Sequence, residues 1–153
     1  MLLRNIAKSM LYDRSGRSLI GWAMTLRSAY FADWKGSPTV LLWGDATGMR
    51  ELRDFLRGAW AAPNALALEA ICDAVDGREI TIRAVSDPGN TGMGFVRNGL
   101  EWRLRSDLAE DFAEKIDVLA SSVSGHQYLD AYGSDITVEV SIGEYPETLH
   151  PDR

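Results

Sequence analysis

The sequence predicts an α+β domain in which a mostly antiparallel sheet carries two or three helices packed on one face. Three observations predict it. Two segments repeat apolar residues at three- and four-residue spacing, several others alternate apolar and polar residues, and turn-forming clusters of Gly, Asp and Pro separate them. The chain of 153 residues is 46% hydrophobic and 25% charged, a globular balance long enough to bury a core without disulfides or metals.

Residues 1–35 read as an N-terminal arm or hairpin, with turn signals at Asp13-Arg14-Ser15-Gly16 and Lys35-Gly36-Ser37-Pro38. An α+β domain then spans residues 36–149. Thr39-Val40-Leu41-Leu42-Trp43 is a short apolar run closed by Gly44-Asp45 and reads as a buried strand. Asp45 or Thr47 caps a helix in which Met49, Leu52, Leu56, Ala59 and Trp60 share a stripe until Pro63. Residues 64–75 place Leu68, Ile71, Cys72 and Val75 on one helical stripe, so a further short helix is expected there. Glu79–Val85 alternates as a strand, and Asp87–Gly94 reads as a flexible connection. Its glycines do not make a phosphate loop, since the Lys and Ser/Thr of that loop are missing and no helix follows.

Leu100, Trp102 and Leu104 share one face of the next strand. Asp107 with Glu110, or Ser106, starts a helix striped by Leu108, Phe112, Ile116, Leu119 and Ala120. Two strands follow, 127–131 and 136–142. In the second, Ile136, Val138, Val140 and Ile142 point inward while Asp135, Thr137, Glu139 and Ser141 face solvent. Leu52, Leu56 and Ala59 align with Phe112, Ile116 and Leu119 at an offset of sixty, which raises an internal βαβ duplication as an expectation.

Sixteen Lys and Arg against 22 Asp and Glu give a net charge of −6, distributed as +3 over residues 1–23 and −9 over the rest. An acidic body argues against binding nucleic acid through its phosphates and suits a basic partner. The longest stretch without a charged side chain, Val118–Leu129, is too short and polar to cross a membrane. Lys8 and Asp13 break up any secretory apolar region, and Met24 offers a second translational start, so a cytoplasmic location is expected. Cys72 is the single cysteine and His126 and His150 the two histidines, which leaves no disulfide framework, no dedicated metal cage and no implied cofactor. Cys72 is expected to pack as a small apolar residue. The tail from His150 is expected to fray. Of five tryptophans, Trp43, Trp60 and Trp102 read as core, while Trp22 and Trp34 are candidates to anchor a partner or a second subunit.

The densest set of chemically able residues is Ser124–Asp130 together with Gly143-Glu144-Tyr145-Pro146. In an extended segment His126, Tyr128 and Asp130 share a face. These three with Glu144 and Tyr145 are the candidate binding residues. They are equally the materials of a polar network that pins a strand edge and of an acid–base site.

The helix before Ser124–Asp130, the strand ending in Val140-Ser141, Glu144-Tyr145-Pro146, and upstream Val40-Leu41-Leu42-Trp43-Gly44 with Gly48-Met49 carry a resemblance. They resemble small uncharacterised bacterial proteins, some of them grouped as predicted immunity proteins of polymorphic toxin systems and similar to the immunity protein 32 type. The likeness covers residues 39–149. It implies a small α+β domain that binds a toxin and has no catalytic residues to transfer. The expected function is therefore non-enzymatic protein binding, with a basic toxin domain or a second copy of the chain, in a homodimer, as partner. The alternative is a small-molecule-binding protein or hydrolase with a pocket around His126 and Glu144.

Overall fold

The computed structural model describes residues 25–59, 61, 64–131 and 134–152. Expectations about residues 1–24, Trp60, Pro63 and Tyr132-Gly133 lie outside the described residues, among them the basic segment, the Met24 start and Trp22. Among the described residues nine strands form two sheets. They are β1 (Leu26–Trp34), β2 (Ser37–Gly44), β3 (Leu66–Ala67), β4 (Asp73–Ala74), β5 (Glu79–Ala84), β6 (Gly92–Val96), β7 (Gly99–Leu104), β8 (Gly125–Tyr128) and β9 (Thr137–Ile142). Helix α1 spans Ala46–Ala59 and α2 spans Ser106–Ala120. The class is α+β, with the strand pairs mostly antiparallel. In place of a single sheet there are two, ordered β4-β1-β2-β9-β8 and β3-β5-β7-β6, and an isolated bridge from Met93 to Ile136 joins them at one corner.

Both sheets are assembled the same way. The hairpin β1–β2 leads into α1, and β2 pairs in parallel with β9, which pairs antiparallel with β8. The hairpin β6–β7 leads into α2, and β7 pairs in parallel with β5, which pairs antiparallel with β3. Each hairpin therefore takes its parallel neighbour from the other half of the chain. The likeness is one of connectivity, and it does not establish a duplicated sequence.

One core joins the inner faces of both sheets to the two helices. Val40, Leu42, Val138 and Val140 meet Met49, Leu52, Leu56, Phe112 and Ile116, while Ile82, Leu100 and Trp102 close the core from the second sheet. Trp102, fully buried, stacks on Phe112 at 5.9 Å. Arg53 with Asp117 and Arg57 with Glu110 pair across the exposed seam between the helices. Asp45 accepts a hydrogen bond from the Gly48 amide at 2.8 Å, the expected cap of α1. The start of α2 has no side-chain cap, so the reading of Asp107 or Ser106 as one is corrected.

Three further findings bear on the site. Leu26–Trp34, in the stretch read as an arm or hairpin, forms a hairpin with β2 and pairs with β4 on its other side, as part of the five-stranded sheet. Residues 64–75 are not helical: Leu68–Ala70 makes one 3₁₀ turn, and Asp73–Ala74 runs parallel to β1. The edge of β1 wins this segment because the Val75 amide donates to the Ser28 carbonyl and the Tyr30 amide to the Asp76 carboxylate, satisfying groups a helix would leave open. Leu68, Ile71 and Cys72 are buried as their apolar character requires, without helical periodicity. Gly92–Val96, read within a flexible connection and its sequel, is strand β6.

Candidate functional site

The face of the five-stranded sheet away from the helices is the site-bearing surface. Residues directly opposite one another in paired strands share a face, so the register defines three rows. Arg27, Trp43, Ser141 and His126 form one, Ala29, Leu41, Glu139 and Tyr128 the next, and Phe31, Thr39 and Thr137 the third. Ala29, Phe31, Leu41 and Trp43 form a second, smaller apolar cluster here, closed by Trp34, Val75, Tyr145 and Leu149. The chain after β9 is what covers it. The Trp43 indole donates to the Pro146 carbonyl at 3.1 Å, and the Leu149 amide donates to the same oxygen.

His150 is part of this strap, not a frayed end. Its Nε2 lies 3.1 Å from the Val75 carbonyl while its Nδ1 accepts from the Asp152 amide, an arrangement that selects the Nε2–H tautomer.

Four of the five candidate residues join two small networks on this face. His126 Nδ1 and the Ser141 hydroxyl both donate to Oε1 of Glu144, at 2.8 and 2.7 Å. The ring of His126 meets that of Tyr128 edge-on, centroids 5.4 Å apart. Asp130 lies just beyond β8 and its Oδ1 accepts from the Val138 amide at 3.1 Å, tying it to β9. Tyr145 belongs to the other network. Its hydroxyl donates to Oε2 of Glu139 at 3.1 Å, and the Lys35 ammonium donates to Oε1 at 3.0 Å. Trp34 stands beside them, its ring 4.6 Å from Phe31 and 5.2 Å from Tyr145.

Glu139 was missed in the sequence, where alternation in β9 set it on a solvated face. At these two positions the face is covered, and Glu139 and Ser141 are both 0% exposed. The usual sign of a strand buried on both sides is a continuous apolar run. Here polar partners on neighbouring strands take its place. A Lys in a tight turn is the only local hint: Lys35 and Gly36 occupy the two-residue link between β1 and β2 with φ of 53° and 88°. Both values lie in the left-handed region that such hairpin links require.

Electrostatics follow from these contacts. Burial alone would raise the Glu144 carboxyl, but the hydrogen bonds from Ser141 and His126 outweigh it and hold the group below its ordinary value. The stability this confers is complete above the unfolded carboxyl value and is lost as pH falls through the lower folded one. Glu144→Gln is accordingly expected to shrink the difference between urea midpoints measured at pH 7 and pH 3, and an unchanged difference would contradict the network. Burial likewise opposes the charge on Lys35, yet Glu139 and Tyr145 raise its pKa. Tyr145 is itself pushed up, by burial first and then by Glu139.

Chemically, a carboxylate bonded to Nδ1 orients an imidazole and leaves Nε2 as its basic nitrogen. The Ser141 hydroxyl donates to Glu144, so it forms no nucleophile–base pair with His126. Among the described residues two clefts on this side bear on the site. One, of about 400 Å³, lies among Arg27, Trp43, Asp45, Tyr145 and Glu147, and the other, of about 260 Å³, lies between Trp34 and Tyr128 over Thr39, Thr137 and Glu139. Neither His126 nor Glu144 walls either cleft. Among the described residues no three His, Cys, Asp or Glu side chains converge as a metal site, and no helix is long and apolar enough to cross a membrane.

By fold and site the chain is an α+β protein with a polar and aromatic sheet face strapped by its own C-terminal segment. No family model matches it, and neither does any curated protein.

Proposed function

We propose that this chain is an immunity-like, non-enzymatic binding domain of the bacterial cytoplasm that docks a basic partner on the face of its five-stranded sheet opposite α1 and α2 and occludes it. The observation that carries this reading is the gathering of His126, Tyr128, Asp130, Glu144 and Tyr145 on that side, close to the surface, with Tyr128 and Asp130 lining one open cleft and Tyr145 the other. Charge supports it. Lys35 is matched by Glu139 and Arg27 faces Glu147 at 3.7 Å, so among the described residues the carboxylates of Glu144 and Asp130 set the sign of the face. The net charge of −6 would steer a basic toxin domain toward it. Edge-on aromatic pairs brace the surface, so little side-chain entropy is lost on docking.

Calorimetric titration with the product of the adjacent gene tests the reading. A stable complex is expected, weakened at least tenfold in the double variant His126→Ala/Glu144→Ala while the unfolding curve still shows a folded protein. No complex, or one indifferent to both substitutions, would overturn it. The alternative, a hydrolase, has one observation in its favour, the 2.8 Å contact that orients the His126 ring on Glu144. It predicts an ester- or amide-cleaving activity abolished by His126→Ala, which the binding reading does not.

A further inference from the structure

We propose that the cleft between the β1–β2 turn and the end of β8 receives one arginine side chain of a basic protein partner, its guanidinium on Asp130 and its plane against Tyr128 or Trp34. This assignment rests on the protein-binding reading above and names the contact that would carry it.

Size excludes most other occupants. A volume of about 260 Å³ falls below the range of about 300–1,000 Å³ usual for small-molecule pockets. It suits a single long side chain entering from a docked surface. The floor is made of short residues, Thr39 and Thr137, which sit opposite each other in the parallel pairing of β2 and β9. A side chain can therefore lie along this floor, between Trp34 and Tyr128.

Charge fixes the sign of the guest. Three ionic groups line the cleft, Lys35, Glu139 and Asp130. Lys35 and Glu139 neutralise each other at 3.0 Å, and the ammonium also lies 5.9 Å from the Tyr145 ring centre. Among the described residues Asp130 is the one of the three with no ion-pair partner. Its hydrogen bond from the Val138 amide holds the carboxylate in place while the residue stays exposed at the rim. A cation is preferred over an anion, and its site is preorganised.

Shape selects arginine among cations. Tyr128 is 42% exposed, large for an aromatic side chain, and His126 props it edge-on. Trp34 faces it across the cleft, fixed between Phe31 and Tyr145. A planar guanidinium stacks on such rings and forks onto a carboxylate, which a compact, strongly hydrated ammonium does less well. Arginine is also the cation most often found at the energetic centre of protein interfaces.

The test uses the full chain and blocked tripeptides of Gly-Arg-Gly, Gly-Lys-Gly and the neutral isostere Gly-citrulline-Gly, followed by amide and indole NMR shifts. The arginine peptide should produce saturating shifts centred on Trp34, Tyr128 and Asp130, the lysine peptide weaker ones and the citrulline peptide none. Asp130→Asn, which keeps the oxygen that accepts from Val138, should weaken arginine binding about tenfold. An equal response to citrulline, or arginine shifts confined to another surface, would overturn the site. The adjacent gene product separates the two levels of the argument. A complex that keeps its full affinity in Asp130→Asn overturns the arginine contact and leaves the protein-binding reading standing. Arginine peptide binding with no such complex overturns the assigned occupant, a protein, along with that reading.

Discussion

Lys35→Met is expected to lower the free energy of unfolding by about 2–3 kcal/mol, and adding Glu139→Met to recover most of that loss. Glu139 is fully buried, and its two carboxylate oxygens are taken by the Lys35 ammonium and the Tyr145 hydroxyl. Removing one partner of a buried ion pair typically costs about 3–5 kcal/mol, because the remaining charge is stranded in a poor dielectric. The Lys35 side chain is 44% exposed, so water can partly replace it and the figure is reduced accordingly. Replacing both members by apolar groups removes the stranded charge, which is why the double variant should sit well above the sum of the singles. Tyr145→Phe leaves the ammonium in place and should cost about 1 kcal/mol. Urea unfolding of the four members of the cycle at pH 7 gives the coupling directly. A single-variant cost below about 0.5 kcal/mol would mean the carboxylate finds other solvation. The alkaline limb offers a second check. Lys35 and Tyr145 are both held above their ordinary values, so the stability they add is full below unfolded-state values of about 10 and is lost as pH rises through the higher folded ones. Lys35→Met should flatten that loss.

Periodicity made much of the fold legible. The stripes Met49-Leu52-Leu56-Ala59 and Phe112-Ile116-Leu119 became the two helices, and alternation around Leu100-Trp102-Leu104 and Val138-Val140 became strands β7 and β9. Where it failed, a long-range contact outweighed a local pattern. Leu68, Ile71 and Cys72 fit a helix on paper, but the open edge of β1 supplies backbone partners forty-odd residues away that no window can see. Strand β6 is rich in glycine and is defined by its pairing with β7. The alternation gave His126 and Tyr128 a common side of β8, since side-chain direction in an extended segment is a local property, while Asp130 lies past the strand's end. The partnership of Glu139 with Lys35 across 104 residues was not readable, because a carboxylate in an alternating strand is ordinarily solvated.

Gly48→Ala provides the sharpest contrast between local propensity and packing, with an expected loss of about 2–4 kcal/mol. Gly48 lies in the first turn of α1, where exchanging Gly for Ala ordinarily gains up to about 1 kcal/mol. Its surroundings reverse the sign. A Cβ at Gly48 would collide with the Thr25 carbonyl oxygen and lie 2.7 Å from the Thr25 carbonyl carbon, and one at Gly44 would meet the same group, with that carbon at 2.9 Å. The obstacle is backbone, so no rotamer change relieves it. Moreover, the Thr25 carbonyl is itself held, accepting from the Asp45 amide at 3.1 Å at the point where Leu26 pairs with Gly44. To make room, the start of β1 would have to pull away from β2 and from the start of α1. The two glycines around Asp45 are thus a seat for the incoming chain, which gives Trp43-Gly44 and Gly48-Met49 a structural reason for their place in the sequence. Gly58, in the last turn of the same helix, is the internal control, because a methyl group there would meet nothing within 4 Å. Gly58→Ala should raise the urea midpoint slightly while Gly48→Ala lowers it sharply; equal shifts in the same direction would show that β1 does not rest on the helix start as described. Because β1 runs on to Trp34 and Lys35, a partial displacement at Thr25 should also disturb the Lys35–Glu139 pair, detectable as a smaller cost of Lys35→Met in the Gly48→Ala background.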